Sequence, residues 1–289
     1  MTGRWLLGVF LIATPVWAQF AESQGFKARE PRLTVCQNPL PCVELETFCK
    51  IPPKASAAVT ENWNELCDER ALKGLRSVES LLKRSATLTI LDPSKVRCDS
   101  VSSMKPYIFS PDRERVTVEY SAECAKKTQN FLYMTFHELG HVVSMGHAYR
   151  CGGSFTRWAV GSNTEMMRGF DAHIGEKDPE VENGEMFAFQ EGIADFLSYR
   201  WLKLGYPTFI SQQGLFWEKA DKALAKKTLP AIARNELLVD AYLRKNHATT
   251  SLNKLVEAFC PSAFTLDSYL KNLKNPPRSI KRSADSPKW

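Results

Sequence analysis

The sequence contains no Cys-x-x-Cys pair, which argues against a zinc ribbon or a thioredoxin-like redox role. It has no internal repeat and no low-complexity tract. It also lacks a basic stripe interleaved with aromatics. Lysine and arginine are dispersed and the net charge is only +6 over 289 residues, so nothing indicates nucleic-acid binding. Beyond the N-terminus no apolar run is long enough to span a bilayer, so stable membrane insertion is not expected. Histidine is scarce, with five in the chain, so a histidine pair at a chemical spacing carries weight.

What is present begins with an export signature. Arg4 precedes the apolar core Trp5 to Ala13, and small residues around Ala18 precede a cleavable bond. This pattern predicts a secretory signal peptide over 1–18 and a secreted or periplasmic product, with an uncleaved N-terminal anchor as the alternative. All eight cysteines (36, 42, 49, 67, 98, 124, 151 and 260) follow it. An even count in an oxidising compartment suggests up to four disulfides, though spacing cannot choose among roughly a hundred pairings. Hydrophobic content of 44% with 11% aromatics is that of a packed globular protein.

Residues 19–59, rich in Cys and Pro and without clear apolar periodicity, read as a stapled extension or pro-segment. From Thr60, a candidate N-cap, helical spacing of Trp63, Leu66, Leu72, Leu75, Val78, Leu81 and Leu82 runs to about Lys83. Thr87 to Leu91 alternates as a strand. Pro106 to Phe109 and Arg115 to Tyr120 read as a hairpin. A helix follows from about Thr128 to Met145, then a long Gly-containing loop over 147–182. A second strong helix spans about Asn183 to Leu204, and three more helices reach Asn275. Residues 276–289 form a basic tail, read as a solvated end. The order predicts an α+β protein: a small, mostly antiparallel sheet with one helix in an N-terminal lobe, and a helical C-terminal lobe.

The chemistry concentrates at His137-Glu138-Leu139-Gly140-His141, a His-Glu-x-x-His pattern on a helix. Positions i and i+4 share one helical face, so both imidazoles reach one ion while Glu138 stands beside them. Chance odds of the pattern in such a chain are on the order of one in a hundred. The flanking Phe131-Leu-Tyr-Met-Thr-Phe136 and Val142-Val-Ser-Met145 are apolar nearly all round, which predicts burial. His137, Glu138, His141 and Ser144 form the polar stripe. A buried carboxylate between histidines costs several kcal/mol unless paired, and a cation answers that cost.

Zinc needs a third protein ligand and an open position. One candidate is Glu191, in Phe189-Gln-Glu-Gly-Ile-Ala-Asp195. Glu191 and Asp195 are again i and i+4, on a helix otherwise filled by Met186, Phe187, Phe189, Ile193, Phe196, Leu197 and Trp201. Asp195 would accept the Nδ1–H of a liganding histidine and fix its tautomer. The other candidate is His147, set by its spacing from His141.

The two blocks His137-Glu-x-x-His141 and Glu191-x-x-x-Asp195 resemble the gluzincins, the thermolysin-like clan of zinc peptidases. The resemblance covers about 25 residues, and the interval from His141 to Glu191 is longer than in thermolysin. It implies a zincin-like catalytic domain over 60–275, with an edge strand lining a cleft above the motif helix and a helical lobe supplying Glu191. His147 instead has the histidine spacing of the metzincins, but Ser144 stands where that family needs a glycine and Gly146 is displaced by two residues. Met166 or Met167 could imitate its methionine turn.

Under either ligand set, zinc lowers the pKa of its water to about 7. Glu138 takes the proton and passes it to the leaving amine of a peptide or protein substrate. Tyr199, Tyr206, Tyr242 and His247 are candidate donors to the oxyanion, with His247 best placed along the chain. Cys36, Cys42 or Cys49 has a second reading as a thiolate latch in a latent precursor, beside disulfide pairing. A reading of another class is a non-catalytic protein that holds zinc or a partner; the intact Glu138 speaks against it.

Overall fold

The computed structural model describes residues 31–37, 42–51, 57–83, 85–91, 108–109, 115–121, 131–150, 180, 182, 184–203, 213–260 and 263–276. The expected signal peptide, most of the tail and residues 151–179 of the expected loop lie outside them.

Strands β1 (Leu33–Gln37) and β3 (Ser85–Leu91) pair parallel, Leu33 opposite Ala86 and Val35 opposite Leu88. These four side chains are buried, while Thr34 and Thr87 share a 3.1 Å hydroxyl hydrogen bond on the other face. Strand β5 (Arg115–Ser121) pairs parallel with β3. The short strands β2 (Val43–Glu44) and β4 (Ile108–Phe109) close the edges antiparallel, giving the order β2-β1-β3-β5-β4. The expected hairpin is therefore present as β4 and β5, whereas the sheet is mixed and not mostly antiparallel. Parallel pairing requires long crossovers, and helical residues between β2 and β3 supply one of them.

Within the stretch read as an extension, residues from Leu33 onward build part of the core. Helix α1 (Leu45–Phe48) buries Phe48, whose ring meets Trp63 edge-on at 5.2 Å. Disulfides Cys36–Cys42 and Cys49–Cys67 staple this region, so none of Cys36, Cys42 and Cys49 offers a thiolate latch. Cys260 is also disulfide-bonded. The helix expected from Thr60 to Lys83 is two: α2 (Ala57–Leu66) and α3 (Glu69–Leu81). The break falls where Cys67 is tied to Cys49 and Asp68 caps α3 by accepting the Arg70 N–H at 2.9 Å.

Helix α4 (Phe131–Arg150) carries the His-Glu-x-x-His block and runs one turn further than its expected end at Met145. Helix α5 (Glu185–Leu202) starts at Gly184 and stops at Lys203, whose left-handed backbone closes a bond to the Tyr199 carbonyl. Among the described residues five helices follow where three were expected: α6 (Gln213–Leu224), α7 (Leu229–Ile232), α8 (Glu236–His247), α9 (Leu252–Glu257) and α10 (Leu266–Lys274). The described chain is thus α+β, mostly helical with a small mixed sheet. Its sheet, α4, α5 and the later helices share one apolar core. No helix among the described residues is long and apolar enough to cross a membrane.

Candidate metal centre

Two small residues bring α4 and α5 together. A Cβ placed on Gly140 would lie 2.9 Å from the Ala194 Cα and 3.1 Å from its carbonyl oxygen. On the opposite side of α5, a Cβ on Gly192 would meet the Glu236 carbonyl and Val239 of α8 at 2.7 Å. The backbones therefore pack at a separation only glycine permits, with Gly140 between the two motif histidines and Gly192 beside Glu191. Phe136, Leu139, Val143, Phe189, Ile193, Phe196 and Leu197 bury the remaining faces. That apolar surround leaves the polar stripes of α4 and α5 nothing to face but each other.

Across this seam His137 Nε2 lies 3.2 Å from Glu191 Oε2, and His141 Nε2 lies 3.5 Å from Glu191 Oε1. The two Nε2 atoms are 3.2 Å apart and the rings stand perpendicular. Among the described residues these three side chains form a cluster able to hold a metal ion, one ligand atom from each lying within 4.8 Å of the others. Both histidines are buried, while Glu191 keeps 24% of its side chain exposed, so the cluster is reached from the glutamate side.

The fully buried Asp195 accepts the His137 Nδ1–H at 2.6 Å. That bond places an N–H at Nδ1 and turns Nε2 toward the cluster. Burial alone would lower the His137 pKa, but Asp195 and then Glu191 outweigh it and hold the imidazole well above its ordinary value. Burial alone would raise Glu191, but His141 and His137 hold that carboxyl well below the usual range. Glu138 is 8% exposed, and its Oε2 is buried without a hydrogen-bond partner. An orphaned carboxylate oxygen costs more than 1 kcal/mol here unless a donor or cation meets it.

His147 does not join the cluster. Because α4 continues to Arg150, His147 stands about 9 Å beyond His141 along the axis and on a different face. It is buried, and its Nε2–H donates to the Leu81 carbonyl at 3.0 Å. His247 ends α8; its carbonyl accepts from Arg200 and its ring lies beside Tyr242. Burial and the nearby Lys254 and Lys274 lower its pKa, and none of its contacts reaches the three donors. Tyr199 lies under the Arg244 guanidinium, 4.3 Å away. Tyr206 is outside the described residues.

No protein-family model, curated protein or solved structure matches the chain. The centre therefore rests on its own geometry.

Sequence reasoning missed three residues behind the cluster: Tyr133, Asp240 and Arg244. Tyr133 lies one turn before His137 on α4 and is buried. Burial, then the charges of Asp195 and Asp240, hold its phenol well above its ordinary pKa. Asp240 is fully buried on α8 and accepts from Arg244 Nε at 2.7 Å. A signal was available, since Asp240 and Arg244 are charged residues at i and i+4 on the apolar run Leu237-Leu-Val-Asp-Ala-Tyr-Leu243. Glu191 and Asp195 show the same pattern on α5. Glu138, Glu191, Asp195 and Asp240 thus bring four carboxylates to this region, with Arg244 paired to Asp240 and the His137 imidazole set between Glu191 and Asp195.

Proposed function

We propose that the chain is an exported zinc-dependent peptidase of zincin-like architecture, related in its site to the gluzincins. The observation that carries this reading is the spacing of the three donors. Atoms about 2.0–2.1 Å from a tetrahedral zinc stand roughly 3.3 Å apart. The two Nε2 atoms stand 3.2 Å apart, and each has one Glu191 carboxylate oxygen at a similar distance, Oε2 3.2 Å from His137 and Oε1 3.5 Å from His141. Two imidazoles and one carboxylate are also the donor set of catalytic zinc sites that keep a position open. The disulfides and the lack of a membrane-spanning helix among the described residues are compatible with an extracellular or periplasmic setting.

When bound, zinc supplies acidification of a water molecule and polarisation of the substrate carbonyl. The protein's own part follows from its side chains. His137, His141 and Glu191 hold the ion. Asp195 keeps His137 in the one tautomer that can ligate. Glu138, with its unpartnered Oε2, accepts the proton of the attacking water and delivers it to the departing amine. The buried surround of Phe136, Leu139 and Phe189 limits bulk water, which strengthens each of these interactions.

The test is Glu138→Gln in the exported, disulfide-bonded protein. The variant is expected to retain one zinc per chain and to lose hydrolysis of a mixed peptide library by at least about a hundredfold. Wild-type protein that carries one zinc yet cleaves no peptide would overturn the enzyme reading in favour of a non-catalytic metal protein.

A further inference from the structure

We propose that Gly74 on α3 is a positioning residue for the metal ligands: its missing side chain leaves the notch that seats Phe136, the residue before His137, and so sets the rotation of α4. The inference rests on the metal-site reading above and brings in a helix that carries no ligand.

Gly74 lies on the buried face of α3 with Leu75, Val78 and Leu81. A Cβ placed on it would stand 2.7 Å from Phe136 Cε1, 2.8 Å from Phe136 Cζ and 3.6 Å from the Cβ of Trp201. Carbon atoms pack at about 3.5–4.0 Å, so the last of these is an ordinary contact and the first two are not. The Phe136 ring therefore occupies the space that a side chain at position 74 would fill. That ring is fully buried, and the Trp201 ring stands 6.1 Å from it at 45°. Gly74 thus abuts both helices that supply ligands, α4 through Phe136 and α5 through Trp201.

This contact fixes something that Gly140 does not. Gly140 and Ala194 meet as nearly bare backbone. Such surfaces set how closely α4 and α5 approach, but they present no bulk that resists one helix turning against the other. A ring lodged in a notch does resist it. Phe136 and His137 are successive residues, so their side chains leave α4 about 100° apart. With Phe136 held against α3, His137 and His141 are held toward Glu191, at 3.2 and 3.5 Å. A ligand set tolerates displacement of only about 0.5 Å. The other contact printed on α4 by α3, from His147 to the Leu81 carbonyl, lies more than a turn past His141, whereas Phe136 adjoins the first ligand.

A methyl at position 74 has no easy escape. Turning Phe136 about χ2 leaves Cζ in place, because that atom lies on the rotation axis. The next χ1 well would carry the whole ring into an occupied core. Relief comes from α4 moving off α3, and His137 moves with it.

The test reads Gly74→Ala by chelator competition for zinc and by the visible spectrum of cobalt(II) bound in its place, at a temperature where the variants are folded. Zinc is expected to bind at least about tenfold more weakly, as when groups behind metal ligands are disturbed, with an altered cobalt spectrum. Phe136→Leu supplies a second arm, since it shortens the ring that the methyl strikes. In that background Gly74→Ala should strengthen zinc binding, because the methyl fills space the ring has left. Leu273→Ala, buried on α10, is the control for destabilisation alone: a lower Tm with affinity and spectrum unchanged. Unchanged affinity in folded Gly74→Ala, an equal loss in both backgrounds, or a matching loss in Leu273→Ala would overturn the proposal. If Gly74→Ala alone does not fold, the sign of its effect in the Phe136→Leu background decides. His137→Ala, run in parallel, separates the layers. Retention of one zinc per chain there would sink the metal site itself and this inference with it, whereas loss of zinc leaves the Gly74 result to decide.

Discussion

Gly140 and Ala194 touch backbone to backbone: a Cβ on Gly140 would sit 2.9 Å from the Ala194 Cα. This contact, between the halves of the two polar stripes, is what brings a glutamate from α5 within coordinating distance of two histidines on α4. Ala194 lies one residue before Asp195 and three after Glu191, so any shift there moves both acids.

Gly140→Ala tests that dependence. A helical Gly→Ala exchange ordinarily stabilises by about 1 kcal/mol. Here the new methyl meets backbone atoms that cannot swing aside, and overpacking of about 1–3 kcal/mol outweighs the gain. We expect a lower Tm and zinc binding at least tenfold weaker, read by thermal melts and chelator competition. A stabilised variant with unchanged affinity would show that the helix spacing does not control the site.

Glu191→Ala and His147→Ala should separate cleanly. The first removes a donor from the cluster and should abolish stoichiometric zinc with little loss of apo stability. The second leaves the Leu81 carbonyl without its imidazole partner and opens a cavity, at a cost of about 2–3 kcal/mol, while zinc remains. Elemental analysis with urea melts distinguishes the outcomes, and the reverse pattern would move the third ligand to His147.

The Cys49–Cys67 disulfide spans 18 residues. A loop of that size constrains the unfolded chain by about 3 kcal/mol. The double variant Cys49→Ser/Cys67→Ser should lose roughly this much in urea unfolding yet still bind zinc when folded, since neither cysteine belongs to the donor cluster. Loss of metal from a folded double variant would contradict this division between staple and site.

His247 should titrate below an ordinary histidine, because burial, Lys254 and Lys274 all disfavour its charged form. A depressed folded-state value means that the unfolded chain takes up the proton first. His247 therefore leaves stability intact above about pH 6.5 and reduces it as pH falls toward the lowered value. His247→Gln should blunt that acid-side loss, and an NMR midpoint at or above 6.5 for the wild-type ring would refute the assignment.

Much of the site was legible in the chain because helical periodicity reports which residues share a face. His137, Glu138 and His141 stood out as a polar stripe on an apolar helix, and Glu191 with Asp195 repeated the pattern. Asp240 and Arg244 carried the same signal, but no ligand chemistry drew notice to them. The break between α2 and α3 was hidden, since Trp63 and Leu66 on one side and Leu72 and Leu75 on the other continue a plausible period across the Cys67 tether. Strand β1 was hidden too: Leu33 and Val35 are too few to register as alternation amid prolines and cysteines.

The sequence by itself determined the chemistry on offer, an acid beside two histidines on a buried helix and two more acids on another, because residue type and a 3.6-residue period are local properties. Only the tertiary structure decided which side chain joins the histidines. That choice depends on α4 running unbroken past His147 and on Gly140 admitting α5, and so on distances between residues some fifty positions apart that no local pattern encodes. The parallel centre of the sheet was decided in the same way, by which strands meet after long crossovers.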